Sequence, residues 1–410
     1  MSIKLRLIIM NFLEFFVWGS WLISLGGYMI ITLKFTGSQV GSIYATMGVA
    51  SVFTPSIMGI IADRWINAER VLGACHILGA VLLLWAAQQT EYKPMYIIML
   101  LNSMFYMPTL ALNNAVSYAV LQRRGIDIVQ YFPPIRVWGT VGFVAAMWVI
   151  DFGKWTLLPI QLYVSATAGL LLGAYAFTLP ACPPGHGRSS GSFLSSLGFD
   201  AIVLFKRARM AVFFLFAMML GAALQITNTF GEAFIHDFTG SYPDSFAVQH
   251  PSLLMSVSQI SETLFILTIP FFLKRFGIKT VMMMSIFAWV LRFGLFAFGN
   301  PGSGLILLIM SMIIYGIAFD FFNISGSLFV KSETDNSILS SAQGLFMLMT
   351  NGIGAFVGGT LSGWVVDYFT TNGIRDWQSI WLSFAAYSLV LGIIFPLSFK
   401  QDHKPVVINN

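Results

Sequence analysis

Along the chain, apolar runs of about 20 residues alternate with short polar turns, and each run is long enough to cross a bilayer core as a helix. Twelve such runs can be counted, near 5–31, 38–61, 70–88, 94–119, 131–151, 157–179, 210–236, 251–273, 279–298, 304–328, 338–366 and 377–399. Inside them the polar positions keep helical spacing. In the run through Ile313–Ser327, Tyr315 and Phe319 share one stripe, and Gly316, Asp320, Asn323 and Ser327 share its neighbour. Three other runs repeat the device, with Arg136, Thr140 and Phe143, with Gln225, Asn228 and Glu232, and with Ser258, Gln259 and Glu262. Lipid offers such groups no partner, so narrow polar stripes on apolar cylinders line a cavity or pair with one another.

Composition agrees with the pattern. Of 410 residues, 57% are hydrophobic and only 10% charged, far from the balance of a soluble domain. The expected class is an all-α, multi-pass membrane protein of twelve transmembrane helices. Lys and Arg set its orientation, because cytoplasmic loops retain positive charge. Lys4, Arg6, Arg64, Arg123, Arg124, Arg207, Lys274 and Lys331 fall on one side, and Lys34, Lys93, Lys154 and Arg375 on the other. Both termini are therefore expected in the cytoplasm. The net charge of +5 is topology information and calls for no nucleic-acid partner. The opening MSIKLRLIIM has a basic flank, but the apolar span after it is too long for a signal peptide and has no small-residue cleavage site.

The one Pro/Gly/Ser-rich connection, from Pro180 to Arg209, divides the chain. The expected units are a six-helix bundle over 1–180, a cytoplasmic linker over 181–209, a second six-helix bundle over 210–400 and a tail over 401–410. Phe193, Leu194, Leu197, Ile202 and Phe205 give the linker an amphipathic segment suited to the inner membrane face. The Gly59-Ile-Ile-Ala-Asp63-Arg64 turn resembles the core of the loop between helices 2 and 3 of the major facilitator superfamily, though the glycine and basic run that usually follow are missing. For Asp63 and Arg64, a gating role stands beside a helix-end salt bridge.

Once loop charges are set aside, Glu14, Arg136, Glu232, Glu262, Arg292 and Asp320 remain inside the membrane runs. An acidic residue at a helix centre costs about 2.5–3.5 kcal/mol on insertion scales, so such residues usually mark a pathway. Asp320 and Glu262 read as working groups, or else as partners of a buried ion pair with an arginine. Gln225 and Asn228 read as solute-binding amides or as glue between helices. Arg136 follows Pro133 and Pro134 and is within snorkelling distance of the headgroups. Arg292, Glu232 and Glu14 read as structural, and Phe143, Tyr315 and Phe319 as packing in a chain that is 15% aromatic. Enzyme signatures do not hold up. Gly187-Arg-Ser189-Ser-Gly191 sits in the linker, without the strand before it and helix after it that a nucleophile elbow needs. The histidines, His76 and His250 among them, lack ligand spacing, and two cysteines, Cys75 and Cys182, make neither a disulfide framework nor a metal site. No cofactor or metal is expected. Gly354 and Gly358 fit close packing within a bundle.

Several segments together resemble the bacterial nucleoside:proton symporter family of the major facilitator superfamily. They are Phe15-Phe-Val-Trp-Gly-Ser-Trp21, Met107-Pro-Thr-Leu110, Phe132-Pro-Pro-Ile-Arg-Val-Trp-Gly-Thr140, Leu224-Gln-Ile-Thr-Asn228, Ser256 to Phe265 and Phe319 to Ser327. The resemblance implies proton-driven uptake of purine and pyrimidine nucleosides across the bacterial inner membrane; a monomer is expected, though no residue pattern in the sequence specifies the oligomeric state. By motif match it implies a substrate pocket of Arg136, Thr140, Phe143, Gln225, Asn228, Gln259, Glu262, Tyr315, Phe319 and Asp320, with Asp320 and Glu262 coupling the proton. It departs at Glu14, where the family pattern has glutamine. A sugar symporter, a drug antiporter and an uncoupled nucleoside facilitator are the neighbouring alternatives.

Overall fold

Short polar residues punctuate the helices. Ser2 caps α1 (Ile3–Gly19) by accepting from Leu5 N at 3.3 Å, and Thr36 and Gln39 close a reciprocal capping box at the start of α2 (Gly37–Arg64). In this computed structural model, which describes residues 2–184, 199–335 and 338–399, there follow α3 (Ala68–Ala86), α4 (Tyr92–Arg123), α5 (Ile128–Phe152) and α6 (Ile160–Ala176). After a 3-10 turn over Phe199–Lys206 come α7 (Ala208–His236), α8 (Pro251–Ile266), α9 (Ile269–Phe298) and α10 (Leu305–Glu333). Leu339–Met347, a π-helical turn Leu348–Gly354 and Ala355–Tyr368 make up α11, and α12 is Trp377–Ser398. A two-residue hairpin, Thr370–Thr371 with Ile374–Arg375, joins the last two.

Among the described residues, nine helices are long and apolar enough to cross a membrane, fewer than the apolar runs of the sequence. Two of the differences have local causes. The first run does not form one helix to residue 31. The hydroxyl of Ser20 donates back to Phe16 O at 2.7 Å, that of Ser24 to Gln161 Oε1 at 2.7 Å, and the chain resumes only as Leu25–Gly27 and a π-turn over Tyr28–Thr32. The eighth run breaks at Leu267–Thr268, four residues after Thr263 and just before Pro270, which has no N–H to continue the ladder. The chain then turns sharply at Gly277, whose φ of 75° suits glycine, so Ile269–Phe298 is two helices meeting at that residue.

Apart from α2 and α11, which pack most heavily on each other, helices α1–α6 pack chiefly on one another, as do α7–α12, and three seams join the groups: α2 on α11, α5 on α8, and Leu25–Gly27 on α7. On the first seam the backbones touch. A Cβ at Gly41 would overlap Gly359 O, and one at Gly359 would come within 2.7 Å of Gly41 O. Two aspartates reach across the same end of the molecule. Asp367 of α11 accepts from Gly37 N and Ser38 N at the start of α2 (2.5 and 2.8 Å). Asp151 of α5 accepts from Ser252 N and Leu253 N at the start of α8 (3.0 and 3.3 Å) and pairs with His250 Nδ1 at 2.6 Å. At the other end of α2, Gly59 has open space around it and Asp63 and Arg64 are exposed. The seams are thus bridged at the Asp367 end, while the Arg64 end of α2 is uncrowded at Gly59.

Gly354 and Gly358 press on α7 at Met218, Gly221 and Ala222. Of the expected amphipathic segment, Ile202 and Phe205 lie exposed on the 3-10 turn while Ala201 and Leu204 are buried; Phe193, Leu194 and Leu197, with the Gly187–Gly191 motif and the tail from 400, lie outside the described residues.

Candidate functional site

The α10 stripe supplies the core of the site. Tyr315 and Phe319, one turn apart, hold their rings 6.0 Å apart and only 9° from parallel, making a continuous aromatic face. Trp289 of α9 meets Tyr315 edge-on at 6.1 Å. Behind the ring lies Arg292, fully buried, its guanidinium 4.6 Å from the Tyr315 centroid and bonded to Ser311 O at 2.8 Å. The Gln259 side chain of α8 lies close to Tyr315. Gly316 lets α8 and α10 approach, since a Cβ there would meet Ser261 O at 2.8 Å.

Charge gathers beside this face. Asp320 is buried within electrostatic reach of Glu262, which in turn is within reach of Arg136 from α5. Acids of α8 and α10 and the arginine of α5 therefore meet across a seam. Arg136 stacks its guanidinium 4.0 Å above the ring of Phe15. On the same helix, Thr140 is half-buried, and Phe143 is buried edge-on to Trp18 at 6.2 Å. Gln225 is buried on α7 and Asn228 half-buried almost one turn on.

Asp320 Oδ2, Gln225 Nε2, Trp18 Nε1 and Arg292 Nε are among the buried polar atoms of these elements that have no partner among the described residues. Leaving such an atom unpaired costs about 1–3 kcal/mol, so they are sites that a solute or water can complete. A cleft beside Phe319, bordered also by Leu224, Trp289, Phe322, Asn323 and Asn351, has a volume of about 20 Å³, room for a single water. Of the ten pocket residues expected from the sequence, Phe319 alone borders this cleft. Among the described residues no group of three His, Cys, Asp or Glu could hold a metal.

The structure thus brings Arg136, Gln259, Glu262, Tyr315, Phe319 and Asp320 into one neighbourhood, and places Phe143 against Trp18 in the other half. Glu232 stands apart, accepting from Ser252 Oγ at 2.8 Å and lying 3.5 Å from His236. Glu14 also has its own partners, His76 Nε2 at 2.8 Å and Thr109 Oγ1 at 2.6 Å. Sequence reasoning passed over Trp18, although it lies inside a quoted segment, and over His76. No spacing links His76 to Glu14, since 62 residues separate them.

A model of the nucleoside H+ symporter family matches residues 1–404. Xanthosine permease of Escherichia coli strain K12 is 57% identical over 413 residues, covering 100% of this chain and 99% of its own. Nucleoside permease NupG of the same organism is 53% identical, covering 99% and 98%. The crystal structure of nucleoside transporter NupG superposes with a TM-score of 0.93 at 53% identity, covering 98% of this chain and 100% of that one.

Proposed function

Since the chain belongs to the nucleoside H+ symporter family, we propose that the face of Tyr315 and Phe319, with Asp320 and Glu262 beside it, is where nucleoside and proton meet. The protein is a proton-coupled nucleoside transporter of the major facilitator type, set in a bacterial inner membrane, and not an enzyme. The observation that carries the site is the conjunction of a flat aromatic pair with a buried carboxylate oxygen, Asp320 Oδ2, that has no protein partner.

In this reading the base stacks between Phe143 of the first half and the α10 face of the second. Stacking accepts any base and contributes about 1–3 kcal/mol per base in nucleic-acid binders, which suits both purine and pyrimidine nucleosides. Gln225, Asn228 and Gln259 meet ribose hydroxyls and base edges, because an amide both donates and accepts, and Trp18 Nε1 adds a donor. Thr140 and Arg136 border the same space. Glu262 and Asp320 exchange the proton. The nucleoside is neutral, so each proton carried inward draws about 2.3 kcal/mol per 100 mV, worth about fifty-fold accumulation.

The chain crosses the bilayer twelve times as two six-helix bundles, with both termini cytoplasmic, and works as a monomer. The excess of Lys and Arg at the Arg64 end supports that orientation, and the bridged Asp367 end with open space at Gly59 opposite supports an inward-facing state. Rocking of the halves about the site exposes it alternately. The test is uptake of labelled uridine into proteoliposomes. Accumulation that a protonophore collapses, and that adenosine but not free ribose competes away, is the expected result. Uptake indifferent to the protonophore means an uncoupled facilitator, and competition by ribose means a sugar carrier.

A further inference from the structure

The proton site described so far lies in the second half of the fold. The first half holds another buried acid, and its surroundings are those of a group that trades a proton. Glu14 and His76 are both buried, Oε2 to Nε2 at 2.8 Å, with Thr109 Oγ1 donating to Oε1 at 2.6 Å and Tyr106 Oη to the Glu14 carbonyl at 2.9 Å. The charged and titratable groups facing the pair are Cys75 of α3, Tyr106 of α4 and Arg136 of α5; α6 brings no charged residue.

Arg136 connects this pair to the substrate site. Its guanidinium rests on Phe15, the neighbour of Glu14, and enters no ion pair within 4.0 Å among the described residues. It lies within electrostatic reach of Glu262 and of Glu14. One arginine offsets one carboxylate. With Glu14 and Glu262 both ionised, a full negative charge is left over where water is scarce, and binding a proton is the least costly way to remove it.

We propose that Glu14 and His76 form a second proton-holding site that shares Arg136 as counter-charge with Glu262, so that the pair holds the proton when Glu262 lacks it. The exchange balances as one proton and one charge. Protonated Glu262 with Glu14 carboxylate and neutral His76 becomes Glu262 carboxylate with Glu14 carboxylate and His76 imidazolium. In the first state Arg136 offsets Glu14, and in the second it offsets Glu262. Histidine makes the exchange possible because its ring can take a proton on Nδ1 while the Nε2 contact to Glu14 is kept. The inference rests on Glu262 as a proton carrier, and extends the path from α10 through α8 and α5 to α1 and α3.

The experiment is 15N NMR of histidine-labelled protein in lipid, with His76→Asn assigning the signal. Near neutral pH His76 is expected as imidazolium in the wild type and as neutral imidazole in Glu262→Gln, which mimics protonated Glu262 and leaves Arg136 free for Glu14. Glu14→Gln, nearly isosteric, should also leave His76 neutral, keep nucleoside counterflow, and lose at least half of gradient-driven accumulation. The same His76 state in wild type and Glu262→Gln overturns the proposal, as does imidazolium persisting in Glu14→Gln. Should Glu14→Gln fail to fold, the Glu262→Gln comparison decides alone. A wild type that fails to accumulate nucleosides would sink the transport reading and leave the NMR result standing on its own.

Discussion

Glu14 and Asp320 are carboxylates buried in the middle of helices, one in each half, and their surroundings are opposite. Glu14 has a donor on each oxygen, from His76 and Thr109, whereas Asp320 leaves Oδ2 bare. A carboxylate fully bonded by its own fold is held in one geometry. One left short is held ready for something that arrives and departs. The bundle thus keeps a fixed acid behind the site and an unfinished one at it, with Arg136 and Glu262 between them.

The comparison is broken most severely through Asp320. Asp320→Asn is expected to reduce potential-driven uridine accumulation from about fifty-fold per 100 mV to none, while counterflow persists. Full accumulation in that variant, measured in proteoliposomes, would remove Asp320 from the coupling. Stability should show the reverse order. Glu14→Ala leaves a buried histidine and a threonine hydroxyl without their acceptor and should cost about 3–5 kcal/mol, read as a fall in Tm in detergent, whereas Asp320→Ala should cost well under half as much. Equal losses would mean that Asp320 is as firmly held by its own fold as Glu14.

Phe319→Ala should weaken every nucleoside alike by about 1–3 kcal/mol in equilibrium binding, and a loss confined to one base would contradict generic stacking. The smallest effect is a surface baseline. Asp376 caps α12 by accepting from Ser379 N and Oγ, and these bonds hold its carboxyl below the usual carboxylate range. Because the folded value is the lower one, the contribution is complete above the unfolded value and fades as pH falls through the folded one. Asp376→Ala should cost about 1 kcal/mol at neutral pH and nothing in strong acid, by thermal unfolding at both.

The full set of candidate residues comes from the family resemblance, but helical periodicity reports which residues share a face, so part of the arrangement around Asp320 was legible in the sequence. Tyr315 with Phe319 and Gln259 with Glu262 come from that rule alone. Periodicity is silent on which other helix a face meets, so the meeting of Arg136 with Glu262, and of Glu14 with His76, needed coordinates. The apolar runs were legible as helices, and their interruptions were not. Ser20 and Ser24 lie in an unbroken apolar stretch, and only the acceptors at Phe16 and Gln161 show why the helix yields there. The crossing aspartates were also hidden, since a carboxylate at the end of an apolar run looks like any solvated helix end until the helix start opposite comes into view.

Those aspartates have a mechanical consequence. Each group of helices lends one carboxylate and receives one, Asp151 going out from the first and Asp367 from the second. The door therefore hangs on two bolts thrown in opposite directions, and drawing one leaves the other to carry the load. Parting the two groups of helices at this end requires both bridges to be released.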